Sequence, residues 1–230
     1  MFKHPSSVLI TDASSGIGEA LAMLYAGKTR NLAINGRDTM RIKMVELACH
    51  HKKASVSCKP VDVVDQKGMR QWIETIDDVA PLDLVIANAR ISAGSGSETG
   101  QQAREIFSIN FEGMLNTIHP AIERMQQRGK GQITIMSSLA EFGGLPVAPA
   151  YSASKAAAPA YGQALRGAFQ IHTINVSVVC PGFVDSRMTE RNQFPMPLLM
   201  DAEHTAPIIY QGLQANKPMI AFPVASHFLS

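Results

Sequence analysis

At 230 residues the chain has material for one substantial core, and its unbroken alternation of strand and helix patterns points to a single domain, 1–230. A net charge of +2, with charges mixed along the chain, leaves no basic stripe and argues against nucleic acid as a partner. No apolar run approaches the roughly 18 residues of a membrane span, and the three widely spaced residues Cys49, Cys58 and Cys180 read as reduced thiols of a cytoplasmic protein.

The first strand pattern, Ser7 to Thr11, begins almost at the N-terminus and leaves no room for a signal peptide ahead of it. It runs into Asp12-Ala13-Ser14-Ser15-Gly16-Ile17-Gly18 and then a helix with Ile17, Ala20, Leu21, Leu24 and Tyr25 on one face. Free N–H groups and the helix dipole at such a strand–turn–helix favour an anion, commonly a pyrophosphate. An ordinary βα turn reads the same way. A second strand, Asn31 to Asn35, ends at Gly36-Arg37-Asp38, and the next helix pattern carries Met40, Met44, Leu47 and Ala48 as its apolar face. In a dinucleotide fold this strand end meets the adenosine ribose, where an arginine suits a 2′-phosphate. Arg37, with Arg41 as a second candidate, therefore favours NADP(H) over NAD(H), because a guanidinium pairs with phosphate through two hydrogen bonds. A solvated helix face is the bland alternative for both arginines.

Ala54 to Val61 reads as a third strand leading to Asp62-Val63, followed by a helix over residues 66–79 with Met69, Trp72, Ile73 and Ile76 inward. Leu82 to Ala87 is a strand apolar on both faces, ending in Asn88-Ala89-Arg90. After the Gly/Ser-rich stretch Ser92 to Gly100, one long helix is expected over residues 101–127, with Asn110 among apolar neighbours at helical spacing. An asparagine there is more often a satisfied helix residue than a catalytic one. A fifth strand, residues 132–136, delivers Ser137 and Ser138. Tyr151 and Lys155, four apart, then share one face of an Ala-rich helix over residues 150–170, in which Pro159 is expected to cause a kink or an early end. A Lys⁺ beside a tyrosine favours phenolate and suits it for acid–base work near neutral pH. By itself Tyr-x-x-x-Lys is weak, arising by chance about one time in six in a chain of this composition.

A sixth strand, residues 175–180, ends at Pro181-Gly182-Phe183-Val184-Asp185-Ser186. Met188 to Met200, rich in Met, Phe and Pro, has no regular period and is either a substrate lid or a loop packed on the body. Residues 186–215 are set apart as a lid segment on that basis. A helix over residues 202–215 and a strand over residues 219–222 close the pattern. Seven strands alternating with helices predict an α/β fold with a doubly wound parallel sheet, Rossmann-like, in three α/β/α layers. Every polar cluster above sits at a strand's carboxyl end, where such sheets bind ligands.

With these residues in place the chain resembles the short-chain dehydrogenase/reductase family over nearly its full length. The matching motifs are Thr11-x6-Gly18, Asp62-Val63, Asn88-Ala89, Asn110, Ser138, Tyr151-x-x-x-Lys155 and Pro181-Gly182. The resemblance implies that Tyr151 donates or accepts the proton and that Ser138, thirteen residues earlier, bonds the substrate oxygen. It further implies that Lys155 holds the nicotinamide ribose and lowers the Tyr151 pKa, and that Asn110 holds a water of the proton relay. Cofactor contacts are expected from Thr11, Ser14, Ser15, Gly16, Ile17, Gly18, Arg37, Asp62, Val63, Asn88, Ala89, Tyr151, Lys155, Pro181, Gly182, Val184 and Ser186, with no metal. The expected reaction interconverts a small carbonyl compound, apolar in character, and a secondary alcohol. Leu145, Pro146, Val147, Phe183, Phe194 and Met196 are candidates for the pocket, and a homodimer or homotetramer is expected. Three features depart from the family pattern: Asp12 and Arg90 stand where glycines are usual, and the chain ends at Phe228-Leu229-Ser230, soon after the last strand. The first two favour a rival reading, a non-catalytic nucleotide sensor or binding module. A metal hydrolase has little support, because His50-His51 and Glu203-His204 lack a paired-ligand spacing.

Overall fold

β-Branched and apolar runs closed by polar residues give seven strands: β1 (Ser7–Ile10), β2 (Asn31–Asn35), β3 (Ser55–Lys59), β4 (Leu84–Ala87), β5 (Gly131–Met136), β6 (Ile174–Pro181) and β7 (Met219–Phe222). In the computed structural model, which describes residues 4–52, 54–94, 98–141, 144–192 and 194–223, they form one parallel sheet in the order β3-β2-β1-β4-β5-β6-β7. The order reverses between β1 and β4. Neighbouring crossovers leave in opposite directions there, opening a crevice at the carboxyl ends of those strands. Residues 95–97 of the Gly/Ser-rich stretch and Phe228-Leu229-Ser230 lie outside the described residues.

The helices are α1 (Gly16–Ala26), α2 (Thr39–His50), α3 (Gln66–Val79), α4 (Gly100–Phe107), α5 (Gly113–Arg128), α6 (Pro149–Ala168) and α7 (Ala202–Gln214). Alternate strand residues face opposite sides. Val8, Ile10, Leu32 and Ile34 pack against Ile17, Leu21 and Tyr25 of α1, Ile42 and Val45 of α2, and Ile209 and Leu213 of α7. Leu9, Val85, Ile133 and Ile135 face Met69 and Trp72 of α3, Ile118 and Ile122 of α5, and Ala158 of α6. This is the expected three-layer α/β/α arrangement.

Two local expectations fail and a third is narrowed. The apolar face assigned to α2 is the wrong one: Met40, Met44 and Leu47 are exposed, while Ile42, Val45 and Cys49 are buried. The sequence offers two apolar stripes about half a turn apart, and the helix phase is set at its start, where Asp38 Oδ1 accepts the Arg41 N–H at 3.0 Å. The long helix over residues 101–127 is also interrupted, by a single π turn at Ser108–Glu112 between α4 and α5. Such a turn inserts one residue into the helical phase, and it carries Asn110. Finally, Pro159 does not shorten α6, which runs for 20 residues through it. The Lys155 carbonyl, left without its helical N–H by the proline, accepts a hydrogen bond from Ser137 Oγ at 2.7 Å instead.

Candidate active site

The nucleotide end is built from the ends of β1, β2 and β4. Thr11 Oγ1, fully buried, accepts the Asn88 N–H at 2.9 Å and the Ala89 N–H at 3.2 Å, clamping the β1 and β4 ends together. The Asn88 amide donates from Nδ2 to Thr11 O and Asp12 O at 3.0 and 3.1 Å. Thr11 and Asn88 thus spend their side chains shaping the turn. Gly18 sits beneath it, where a Cβ would overlap Asp12 O and lie 2.6 Å from Asn88 Nδ2. Only a glycine lets α1 come this close. Ser15 caps α1 with its backbone alone, its side chain making no capping bond. Ser15, Gly16 and Ile17 line a recess shared with Asp12, Asn88, Arg90, Ser186 and Met188.

A second recess adjoins it, lined by Asp12, Asn35, Gly36, Arg37, Val61, Val63, Ala89, Arg90 and Ile109. Arg37 is exposed at its mouth, and among the described residues it has no ion-pair partner. Arg41, the second candidate, has its Nε held by Asp38 Oδ2 at 2.6 Å. Asp62 Oδ1 accepts the Val64 N–H at 3.2 Å, which turns Val63 inward as part of the wall.

At the other end, Pro149 at the first position of α6 starts the helix that places Tyr151 and Lys155 in its opening turns. Lys155 is 1% exposed, its Nζ donates to Met136 O at 3.0 Å, and it lies 5.9 Å from the Tyr151 ring centroid. Burial first, and then the charge of Arg90, push the Lys155 ammonium down to about 7. Ser138 follows directly on the strand end that carries both Lys155 contacts, and its Oγ accepts the Ala140 N–H at 3.2 Å. The Asn110 side chain accepts the Ile91 N–H at 2.8 Å and donates to Ile91 O and Ser154 Oγ, each at 3.0 Å. The π turn therefore buries an amide whose groups are matched by the β4 loop and the Tyr/Lys helix.

The Pro181-Gly182 pair ends β6, with the Gly182 N–H donating to Phe222 O at 2.7 Å. Val184 is buried and bridges to Met200, and the Phe183 and Phe194 rings meet edge-on with centroids 6.0 Å apart. Residues 202–214 form α7, which buries Ala206, Ile209, Tyr210 and Leu213 in the core. The segment before α7 that is set apart as a lid begins at Ser186. Its base is packed, with Thr189 buried and bonded from Oγ1 to Val184 O at 2.9 Å, while Leu198 and Leu199 are exposed.

The Lys155 environment has a measurable consequence. The unfolded chain keeps this lysine protonated up to its ordinary value of 10.5, whereas the folded protein releases the proton at about 7. Between these limits the unfolded state binds the extra proton, so raising the pH stabilises the fold, by at most about 1.4 kcal/mol per unit. The Tm of the cofactor-free protein is expected to rise from pH 7 to 8.5, and Lys155→Met to flatten that rise. Equal slopes in the two proteins would place the titration elsewhere.

A short chain dehydrogenase family model matches residues 6–195, and an uncharacterized oxidoreductase of Myxococcus xanthus is 31% identical over 222 residues, 94% of this chain and 87% of that protein. The chain belongs to the short-chain dehydrogenase family. Membership makes it an oxidoreductase by class. An Arabidopsis thaliana protein, 11-beta-hydroxysteroid dehydrogenase-like 2, is 35% identical over 187 residues, covering 79% of this chain and 60% of its own length. The fold matches that of a short-chain dehydrogenase from Sphingobium yanoikuyae in complex with NADPH, with a TM-score of 0.87 at 22% identity over 95% of this chain and 88% of that one.

Within a short-chain dehydrogenase the two departures acquire a structural setting. Asp12 has φ of 51°, the left-handed region that glycine enters freely and aspartate tolerates. Its N–H donates to Asn35 Oδ1 at 3.0 Å. Burial pushes the Asp12 carboxyl above its ordinary value, opposed first by Arg90 and then by Arg37 and Arg41. Arg90 forms no close ion pair with Asp12; its Nη1 donates to Asn88 Oδ1 at 3.1 Å, and its side chain borders both recesses.

Two contributors escape a reading of the sequence. Asn35 joins three segments, since its Nδ2 also donates to Val61 O at 2.9 Å. Glu98 accepts the Ala150 and Tyr151 N–H groups at 2.6 and 3.4 Å, capping α6 from 52 residues away. The strand-end position of Asn35 was a usable signal. Glu98 gives none, because its partner is distant in sequence.

Proposed function

We propose that this short-chain dehydrogenase is an NADP(H)-dependent oxidoreductase that interconverts a carbonyl compound and a secondary alcohol, with Tyr151 as general acid/base. The observation that carries the reading is the placement of Tyr151 and Lys155 in the first turns of α6, at the same carboxyl edge of the sheet as the α1 N-terminus, which the Ser15 side chain does not cap, and Arg37, which has no ion-pair partner among the described residues. The residues fit a dinucleotide on structural grounds: N–H groups at the start of α1 for a pyrophosphate, Val63 and Ala89 as apolar walls for a base, and Arg37 for a 2′-phosphate. A bound nicotinamide would supply or accept the hydride. The chain's own part is to hold the carbonyl oxygen with the Ser138 and Tyr151 hydroxyls, which stabilise the negative charge that develops there. Tyr151 delivers the proton, and Lys155 in its protonated form places positive charge behind it.

The cluster of Ile106, Ala148 and Tyr151, with Ile91, Ala140 and Leu145 packed against it, makes the surroundings of the phenol apolar. It supports an apolar carbonyl substrate, in keeping with relatives named for hydroxysteroids. Asp12 and Arg90 favour the second reading, a nucleotide-binding module without turnover, because they put a carboxylate and a bulky cation against the recess that would take the pyrophosphate. Nicotinamide fluorescence titration decides between them and tests the cofactor. NADPH is expected to bind in the micromolar range and NADH at least tenfold more weakly, and Arg37→Ala to remove most of that difference. Failure of both nucleotides to bind would overturn the enzyme reading; binding of both with no turnover across a carbonyl and alcohol panel would favour the module.

A further inference from the structure

We infer that Ser137 is a positioning residue matched to Pro159. Its hydroxyl replaces the N–H that the proline lacks and so fastens the Lys155 turn of α6 to the end of β5. In an α-helix the carbonyl of residue 155 takes the N–H of residue 159. Proline has none, and Pro159 is buried in the third turn of α6, away from water that might serve instead. The donor supplied is Ser137 Oγ, 2.7 Å from Lys155 O, on a residue 1% exposed. Ser137 is itself fixed, since its N–H donates to Val179 O of β6 at 2.7 Å.

Lys155 is thereby tied twice to consecutive residues of one strand end, by its carbonyl to Ser137 and by its Nζ to Met136 O at 3.0 Å. The next residue is Ser138. A helix that kept its own N–H at position 159 would satisfy the Lys155 carbonyl internally, leaving only the Lys155 Nζ bond to Met136 O to resist sliding on the sheet. Here sliding breaks a second buried bond. Ser137 and Pro159 together hold Tyr151 and Lys155 in register with Ser138.

The inference rests on the roles proposed for Tyr151, Lys155 and Ser138, and a double-mutant cycle separates its fate from theirs. Ser137→Ala leaves the Lys155 carbonyl without a donor, whereas in Pro159→Ala the restored N–H can take its place. In the Pro159 background Ser137→Ala is expected to lower Tm by about 5 °C. It should also lower kcat roughly tenfold and shift the pH profile of kcat, while Ser137→Thr, which keeps a hydroxyl, retains both. In the Pro159→Ala background the same substitution should cost less than a third as much in Tm and in kcat. Equal Tm losses in the two backgrounds would overturn the pairing. A Tm loss with kcat, KM and pH profile unchanged would make the bond merely structural and overturn the positioning role. If Ser137→Ala alone does not fold, soluble and active Ser137→Ala/Pro159→Ala protein supports the inference, and a double variant that fails where Pro159→Ala folds sinks it. Should Tyr151→Phe prove fully active, the catalytic reading falls, and the Tm cycle still decides the bond.

Discussion

Replacing Tyr151 by phenylalanine is expected to lower kcat by about 10³-fold while leaving the NADPH dissociation constant within a few-fold of the parent value. The size follows from the contribution of a positioned proton donor, about 10² to 10⁴ in rate, to which the loss of one hydroxyl at the developing oxyanion adds. The fold should survive. Tyr151 packs its ring in the small cluster with Ile106 and Ala148, which phenylalanine preserves, and its N–H on Glu98 is a backbone contact. Steady-state rates on the best substrate of a carbonyl panel, with nicotinamide fluorescence for binding, test this directly. Turnover within threefold of the parent would remove Tyr151 from the mechanism.

Gly18→Ala is expected to be the most damaging single change on the nucleotide side. The new Cβ would overlap Asp12 O, come 2.6 Å from Asn88 Nδ2 and reach 3.0 Å from Ala13 Cα. Two of those three are backbone atoms, so relief requires α1 to move off the turn or the Asn88 clamp on Thr11 O and Asp12 O to open. Overpacking of this kind typically costs about 1–3 kcal/mol, which at this chain length lowers Tm by roughly 3–10 °C. NADPH binding should weaken by at least about 100-fold, because the displaced N–H groups are those that would meet the pyrophosphate. A variant with parent Tm and parent NADPH affinity would show that α1 does not need this close approach.

Legibility varied with the range of the interaction. The strands and the order of the motifs could be read because alternation, turn residues and Tyr-x-x-x-Lys are local patterns. The face of α2 could not, since Met40, Met44 and Leu47 form as good a stripe as Ile42, Val45 and Cys49. The choice falls to the Asp38 cap and to the sheet already waiting beneath. The π turn at Asn110 was hidden for a related reason. A single inserted residue leaves the apolar spacing of residues 101–127 nearly intact, while its cause lies in the bonds from Asn110 to Ile91 and Ser154. The Arg41–Asp38 pair, by contrast, spans three residues and is a local contact.

The sequence by itself determined the α/β class, the alternation that makes the sheet parallel, and which side chains stand at strand ends, because those depend on periodicity and on residues a few positions apart. Only the tertiary structure decided which of them meet. It set Arg90 against both recesses, Glu98 on the first turn of α6, and Ser137 on the carbonyl that Pro159 leaves open. Those contacts join residues 18 to 78 positions apart or more, and no local pattern encodes them. They arise when buried polar groups on different elements must find partners once water is gone.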